Sequence, residues 1–376
     1  MNVLRLATVS DGPARLRTTN SGVALGLTSA FQRSPRVDLV ETLNSRPAGV
    51  ARLVLLAATF RPSRSWWWFT FNFGPASTFL RSRARDRAVG RLRPRVQAVL
   101  VVHIRNIYLP SRQPYIAFID STTAMAARGW RAWSAPTKLA RRAQLRAERR
   151  YYERALAVCT AGPQAAASVV EDYGISREKV FAIGGGVNFH PLPEVNEVKK
   201  KRLAANILWV GLDYERKGGD LLVRAFRKLK VDFPHARLRM IGVEPQHASE
   251  PGVEWLGVVS ERSVLAEHYS NASIFCLPAR HEPYGLVILE AMAFALPCVV
   301  SDTGALASIV GDGGVVLPRL DEAELEAALR RLLNSAAEAE SMGTQARRRV
   351  EASGTWDAVA DRMIDAVEKV RMRNVP

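Results

Sequence analysis

The sequence predicts an α/β fold built from two Rossmann-like domains with parallel sheets. The length of 376 residues corresponds to two domains of ordinary size. Hydrophobic residues make up 48% and charged residues 24%, a composition that can bury a large core. Short β-branched runs alternate with amphipathic helical stretches, and this alternation is typical of parallel sheets.

The first half of the chain has the less regular order of elements. The segment 21–34 predicts a loop that turns into a helix, and 141–158 predicts one long helix. Strands are predicted at 3–10, 52–60, 96–103 and 114–120.

The second half alternates more clearly between strands and helices. Strands are predicted at 206–211, 236–242, 273–279 and 297–302. Helices are predicted at 220–233, 263–272 and 321–336, with a further helix inside 281–297. The polar, proline-containing segment 191–204 predicts the domain boundary. We therefore expect a first domain at 1–195, a second domain at 196–355, and a C-terminal helix at 356–376 that packs back on the first domain.

Three cysteines, Cys159, Cys276 and Cys298, lie far apart and show no metal-ligand spacing. This pattern argues against a disulfide framework or a zinc site and fits a reducing compartment. The N-terminus shows no apolar signal segment, and the longest apolar runs are too short to cross a bilayer. We expect a cytoplasmic protein.

Positive charge is concentrated in the first half of the chain. The formal net charge is +17; residues 1–200 hold 31 Lys and Arg against 12 Asp and Glu, whereas residues 201–376 hold 22 against 24. The basic half is expected to meet an anionic partner: a membrane surface, a phosphorylated acceptor or nucleic acid.

Arginine-rich stretches and tryptophans favour the membrane among these partners. The basic stretches are 81–95 and 141–150, and the tryptophans are Trp66, Trp67, Trp68, Trp130 and Trp133. Such residues suit a protein that lies on an anionic membrane, here the inner face of the plasma membrane. The alternative is a solvated surface of an arginine-rich chain.

The stretch HEPYGLVILEAMAFALP, residues 281–297, places two glutamates, Glu282 and Glu290, in an apolar passage. In one continuous helix they would be about 12 Å apart, too far for a carboxylate pair that acts on one bond. Pro283 and Gly285 instead favour a loop followed by a helix. The backbone N–H groups of Gly285, Leu286 and Val287 would then face an anion.

Two carboxylates around such a helix start suit a ligand with hydroxyl groups at both ends and a diphosphate between them. A nucleotide sugar has this chemistry. The alternative, a capping glutamate followed by a solvated helix glutamate, is disfavoured because the flanking residues are apolar.

These residues resemble the signature of retaining GT-B glycosyltransferases of family 4, the glycosyl transferases group 1. The E-x7-E pattern is followed by EAMAFALPCVVSD. Further stretches resemble the family in the same order: CTAGPQAAASVVEDYGISREKVFAIGGGVNF, VGLDYERKGGDLLVRAF, LGVVSERSVLAEHYSNASIFCLPA and DGGVVLPRLDEAELEAAL. The resemblance is good over about residues 150–370 and weak over 1–150. It implies a GT-B fold, in which two Rossmann-like domains with parallel sheets face a central cleft. The first domain, 1–195, would bind the acceptor, and the second, 196–355, would bind the nucleotide sugar.

The resemblance also implies roles for single residues. Glu290 would hold the ribose hydroxyls of the donor, and Glu282 would contact the donor sugar. Arg216 and Lys217 match the basic pair that neutralises the leaving diphosphate. The remaining donor contacts would come from Gly285, Leu286, Val287, Gly257 and Val258, with Gly22 beside the leaving phosphate.

Two positions depart from the family pattern. Many members carry a histidine near the reacting carbon, and here Asp120 and His103 are the candidates for that place. Ser308 stands near the position of a family glutamate. Catalytic roles are thus expected for Glu282, Arg216, Lys217 and Asp120.

The implied activity is the retaining transfer of a hexose from a UDP-, GDP- or ADP-sugar to a glycan or lipid-linked acceptor. No metal is expected because the chain has no Asp-x-Asp triplet, and no cofactor is expected. One alternative is a sugar-nucleotide isomerase or phosphorylase on the same scaffold. Another is nucleic-acid binding, which is disfavoured because no nucleic-acid-binding motif appears and the candidate site lies in the neutral half.

Overall fold

The computed structural model describes residues 3–14, 19–93, 95–102, 108–130, 137–197, 205–244 and 250–373. The chain forms two compact units. The first comprises Met1–Gly186 together with Trp356–Pro376, and the second comprises Val187–Thr355. The division between Gly186 and Val187 thus lies shortly before the predicted boundary segment.

The first unit contains a parallel six-stranded sheet, counted over the residues just given. Its strands are β1 (Leu4–Ser10), β2 (Val37–Asn44), β3 (Ala98–Val102), β4 (Tyr115–Ile119), β5 (Ala157–Thr160) and β6 (Val180–Ala182). The strand order is β2-β1-β3-β4-β5-β6. Every residue of β3, β4 and β5 is buried, as expected where both faces of a parallel sheet are covered.

Seven helices accompany this sheet before the chain enters the second unit, as far as the structure describes it. They are α1 (Val23–Arg33), α2 (Gly49–Thr59), α3 (Arg64–Phe73), α4 (Pro75–Gly90), α5 (Thr123–Gly129), α6 (Lys138–Arg154) and α7 (Pro163–Glu171).

The predictions for the first half are partly confirmed. The strands at 3–10, 96–103 and 114–120 and the helix within 21–34 are present as β1, β3, β4 and α1. The strand at 52–60 is wrong, because this segment lies in α2. Leucine and alanine dominate it, and both residues are good helix formers.

The long helix predicted at 141–158 ends early. It stops at Arg154, where Ala155 adopts an extended conformation, and the next residues enter β5. Strand β2 was not predicted.

The second unit contains the other parallel six-stranded sheet of the described residues. Its strands are β7 (Asn206–Val210), β8 (Arg237–Ile241), β9 (Val253–Trp255), β10 (Ile274–Leu277), β11 (Cys298–Ser301) and β12 (Gly314–Leu317). Its helices are α8 (Gly219–Asp232), α9 (Arg262–Asn271), α10 (Leu286–Ala293), α11 (Leu306–Val310), α12 (Glu322–Asn334) and α13 (Ala336–Ser353). All strands and helices predicted for this half are confirmed.

The strand order of the second sheet is β12-β11-β10-β7-β8-β9. The chain runs outward from β7 to β9, then crosses back to β10 on the other side of β7. The loops that leave the carboxyl ends of β7 and β10 therefore turn to opposite faces. In open parallel sheets, ligands bind in the crevice that opens at such a switch point.

A last helix, α14 (Trp356–Arg373), returns to the first unit, where it packs on α1 and β5. Its buried face includes Trp356, Val359 and Met363. At its exposed edge, Arg33 of α1 forms an ion pair with Asp357 at 2.6 Å.

Candidate functional site

The loop after β7 carries the predicted basic pair. Trp209 of β7 is fully buried, and its indole Nε1 donates to the carbonyl of Lys217 at 3.1 Å. The amide of Lys217 donates to the carbonyl of Asp213 at 3.0 Å. The loop is thus fixed to the core of the sheet by a side chain from its own strand.

Gly218 lets this loop touch the segment that follows β10. Its φ of +70° is in the left-handed region, and a Cβ atom there would lie 1.9 Å from the carbonyl oxygen of Pro278. Only glycine fits both requirements without displacing backbone. The loops after β7 and β10 consequently meet at the switch point.

The Arg216 side chain joins the two loops. Its guanidinium is buried and forms an ion pair with Asp213 at 3.0 Å. Its Nη1 donates to the carbonyl of His281 at 2.7 Å and lies 3.4 Å from Oε2 of Glu282. Since several protein groups hold this guanidinium, its geometry suits a residue that positions Glu282.

Lys217 is the second cation beside Glu282. Its Nζ lies 3.4 Å from Oε2 of Glu282, and each of the two side chains is 13% exposed. Burial raises the pKa of the Glu282 carboxyl, but Lys217 and Arg216 outweigh burial and hold the pKa below its ordinary value. Glu282 is therefore ionised near neutral pH and can accept hydrogen bonds from hydroxyl groups.

Helix α10 starts directly beside this cluster. Gly285 precedes the helix with a φ of +98°, and no side chain caps it. A Cβ atom at Gly285 would lie 2.7 Å from Cδ2 of Leu306. Leu286 and Val287, the first two helical residues, are half-buried. Amide groups at such a helix start lack partners within the helix and lie at its positive end.

Glu290, the other predicted carboxylate, is held by protein side chains. It lies in the second turn of α10 and is only 4% exposed. Its Oε1 accepts from Arg262 at 3.0 Å and from Asn188 at 3.2 Å, and its Oε2 accepts from Tyr269 at 3.0 Å.

Sequence reasoning missed these three donors. Arg262 and Tyr269 are seven residues apart, which places them on one face of α9, and this spacing was the available signal. The Arg262 guanidinium also lies 3.8 Å from the centre of the Phe189 ring, a contact between segments distant in sequence.

Gly257 and Val258 lie just after β9, at the same carboxyl edge of the sheet. The Gly257 carbonyl accepts from the amide of Gly242, which follows β8, at 2.6 Å. The Val258 side chain is exposed. Ser308 lies in α11, where its hydroxyl donates to the carbonyl of Ala305 at 2.7 Å.

The remaining candidates lie in the first unit. Asp120 directly follows β4 and is half-buried. Gly22 directly precedes α1, with a φ of +84°. His103 lies outside the described residues. Within those residues, no group of three His, Cys, Asp or Glu side chains is placed to hold a metal ion.

The structure therefore brings Glu282, Arg216 and Lys217 together beside the start of α10. It separates them from Glu290, which is buried one turn further along the helix. The arrangement offers an ionised carboxylate, a lysine and the first amides of a helix without a side-chain cap in one place, a combination suited to a ligand with both hydroxyl and anionic groups.

Comparison with known proteins finds glycosyltransferases with similar sequences. The MMP alpha-(1->4)-mannosyltransferase of Mycolicibacterium hassiacum is 29% identical over 227 residues, which cover 57% of this chain and 54% of the relative. A D-inositol 3-phosphate glycosyltransferase of Kineococcus radiotolerans is 30% identical over 237 residues, covering 54% of each. The chain thus spans about half the length of the curated relatives it matches.

Among solved structures, sucrose-phosphate synthase of Thermosynechococcus elongatus superposes with a TM-score of 0.72 at 19% identity, covering 99% of this chain and 100% of that one. This likeness, with the strand orders of both sheets, confirms the predicted GT-B fold class. Residues 204–335 match the family model described as Glycosyl transferases group 1. The matched segment lies within the second unit and contains the candidate cluster.

Proposed function

We propose that the protein is a retaining glycosyltransferase that moves a hexose from a nucleoside-diphosphate sugar to a glycan or lipid-linked acceptor. One observation carries the proposal. Glu282, Lys217 and Arg216 converge at the switch point of the second sheet, beside the start of α10 and within the segment that matches Glycosyl transferases group 1. The mannosyltransferase and inositol-phosphate glycosyltransferase relatives support the same reaction class.

The donor would lie along the carboxyl edge of this sheet. Its diphosphate would accept from the first amides of α10, at Gly285, Leu286 and Val287, and pair with Lys217. The Glu282 carboxylate would accept hydrogen bonds from hydroxyl groups of the donor sugar. Gly257 and Val258 would flank the base.

Glu290 would hold the ribose, but most of the acceptor positions of its carboxylate are already used by protein donors. An ionised carboxylate has about four acceptor positions, and three donors already use three of them. A ribose hydroxyl would take the remaining position or displace one donor. Arg262 would be displaced more readily than Tyr269, since the Arg262 side chain is 21% exposed and Tyr269 is fully buried.

Positive charge for the leaving diphosphate would come from Lys217 and the end of α10, so we propose that transfer needs no metal ion. Arg216 would act as a positioning residue, because Asp213 and the His281 carbonyl already bind it. In the first unit, Asp120 would lie near the reacting carbon, and Gly22 would allow the backbone to approach the leaving phosphate. The leaving phosphate itself would guide the acceptor hydroxyl.

The basic half would lie on an anionic membrane, at the inner face of the plasma membrane, where it would meet a lipid-linked acceptor. The charge distribution along the chain supports this part of the proposal.

Thermal-shift measurements with UDP, GDP, ADP and their sugars test donor binding. One nucleotide series should raise the melting temperature, and release of that nucleoside diphosphate should depend on added acceptor and persist in EDTA. Glu282→Gln should lose turnover while remaining folded, whereas Glu261→Gln, an exposed position ahead of α9, should keep it. The proposal fails if no nucleoside diphosphate binds. Turnover of the donor without any acceptor would instead indicate an isomerase or a hydrolase.

A further inference from the structure

Helix α2 has its apolar stripe turned away from the protein. Val50, Leu53 and Val54 are 75%, 66% and 56% exposed. With the exposed Ala57 they occupy positions i, i+3, i+4 and i+7, which form one face of a helix. The residues that α2 buries, Leu55 and Thr59, lie on the opposite face. A surface helix ordinarily buries its apolar stripe against the protein, whereas α2 exposes this stripe.

The exposed apolar surface continues into α3. Phe60, the residue after α2, is exposed, and its ring contacts Trp67 with centroids 6.0 Å apart. The Thr70 hydroxyl donates to the carbonyl of Thr59 at 2.8 Å and ties α3 to α2. We call the set of exposed large side chains on both segments the α2–α3 surface: Val50, Leu53, Val54, Phe60, Trp66 and Trp68.

The same stretch of chain is strongly basic. Residues 46–95 contain 11 arginines and one acidic residue, Asp86. Asp86 is already paired with the buried Arg85 at 2.8 Å. The exposed arginines of this stretch are Arg46, Arg52, Arg61, Arg64, Arg83, Arg87, Arg91, Arg93 and Arg95. Exposed apolar and cationic side chains are therefore interleaved on α2, α3 and their neighbours.

We propose that the α2–α3 surface docks on an anionic lipid membrane. The apolar side chains would enter the boundary between headgroups and acyl chains, the tryptophans would lie at headgroup level, and the arginines would bind lipid phosphates. This inference deepens the membrane association proposed for the basic half, and it does not depend on the transfer reaction.

The charge of the surface selects this occupant over two others. A second copy of the chain would bring the same arginines against one another, which costs free energy. Nucleic acid would use the arginines but leave the aliphatic stripe of α2 in water. The proposed contact is with the surface of the membrane. None of the helices in the described part of the chain is long and apolar enough to span a bilayer.

Vesicle sedimentation of the full chain tests the proposal. Vesicles of phosphatidylcholine with phosphatidylglycerol should bind the protein at low salt, and binding should weaken as salt screens the arginines. Vesicles of phosphatidylcholine alone should bind much less. Arg52→Gln/Arg61→Gln/Arg64→Gln should lower partitioning by roughly 100-fold, at about 1 kcal/mol per cation. Val50→Gln/Leu53→Gln/Val54→Gln should lower it by a similar factor, about five-fold for each apolar side chain lost from the interface.

Matched variants elsewhere separate these effects from a general change of surface. Val231→Gln/Met372→Gln removes apolar groups of similar exposure, and Arg177→Gln/Arg348→Gln/Lys369→Gln removes three exposed charges. Both control variants should keep native partitioning. Transfer to a water-soluble acceptor should be unchanged in every variant, so a failure of docking is distinguishable from a failure of the transferase reaction.

Three results would overturn the docking proposal. One is the absence of binding to anionic vesicles at low salt. Another is native partitioning of the α2 triple variant, with circular dichroism showing that it is folded. The third is light scattering that shows a dimer of the native chain which this variant converts to monomer, because the surface would then join two copies.

Discussion

Replacing Lys217 by methionine removes one positive charge from the candidate site and keeps the side-chain stem. The stem is held in place: a Cβ atom at Gly211 would lie 2.5 Å from Cδ of Lys217. Methionine has a similar length and flexibility, so Lys217→Met should preserve this packing. The variant therefore isolates the electrostatic contribution of the ammonium group.

The expected loss follows from the distances at the site. Lys217 Nζ lies 3.4 Å from Oε2 of Glu282. A donor phosphate at the same distance from Nζ would interact with it by about 5 kcal/mol at an effective dielectric constant of about 20. Part of that is offset by desolvation, and removal of one donor to a developing anion typically slows turnover by about 100- to 1000-fold. We therefore expect Lys217→Met to lower kcat/KM by about 100- to 1000-fold.

Acceptor-dependent release of nucleoside diphosphate, followed as initial rates, gives kcat and KM for each variant. Lys228→Met is the matched control, because Lys228 lies on α8 with an exposed side chain paired to Glu322 at 2.8 Å. Its rate should stay within about two-fold of native, as expected for a surface ion pair. If Lys217→Met also stays within that limit while binding donor normally, the assignment of Lys217 to the leaving diphosphate is wrong.

Three further predictions concern the stability of the second unit. The pKa of Glu282 is held below its reference value of 4.5, so its ionised form stabilises the fold above that pH, and this stability is lost as the pH falls through the folded pKa. In urea unfolding from pH 7 downward, the free energy of unfolding should therefore fall less steeply with pH for Glu282→Gln than for the native protein. Gly218→Ala should lower the free energy of unfolding by about 2–4 kcal/mol, whereas Gly90→Ala, whose Cβ meets open space, should change it by no more than about 1 kcal/mol; equal melting temperatures would contradict the clash. Tyr269→Phe should cost about 1.5–3 kcal/mol because it removes a donor to the buried Glu290, and an unchanged urea midpoint would refute that hydrogen bond.

Four strands of the second unit, β7, β8, β10 and β11, could be predicted from sequence because most of their residues are buried. Such strands appear as continuous apolar runs between polar or glycine-containing turns, and the segment 206–211 became β7 with one residue of difference. Strands β9 and β12 are only partly buried and were not predicted. The resemblance to family 4 glycosyltransferases, rather than the strand pattern, implied that Arg216, Lys217 and Glu282 contact one donor molecule, although 65 residues separate Lys217 from Glu282 in the chain.

The surroundings of Glu290 could not be predicted in the same way. Its donors Arg262 and Asn188 are 28 and 102 residues away in sequence. No local spacing couples residues so far apart, and the contacts depend on how α9 and the segment before β7 pack against α10. Sequence patterns assign a residue to an element, whereas the hydrogen-bond partners of a buried carboxylate are set by tertiary packing.

The wrong prediction at 52–60 has the same physical origin as the proposed docking surface. Strand and helix patterns are both interpreted on the assumption that apolar side chains face the protein. In α2 only Leu55 and Thr59 are buried, and most of the other apolar side chains face outward. Because apolar residues lie on both faces of the helix, residues 53–58 form an unbroken apolar run in the sequence. A run of that length suits a buried strand, but Leu and Ala favour a helix. We propose that this exposed face of α2 gains free energy by burial at the apolar boundary of a membrane, and that the arginines around it favour a membrane with anionic headgroups.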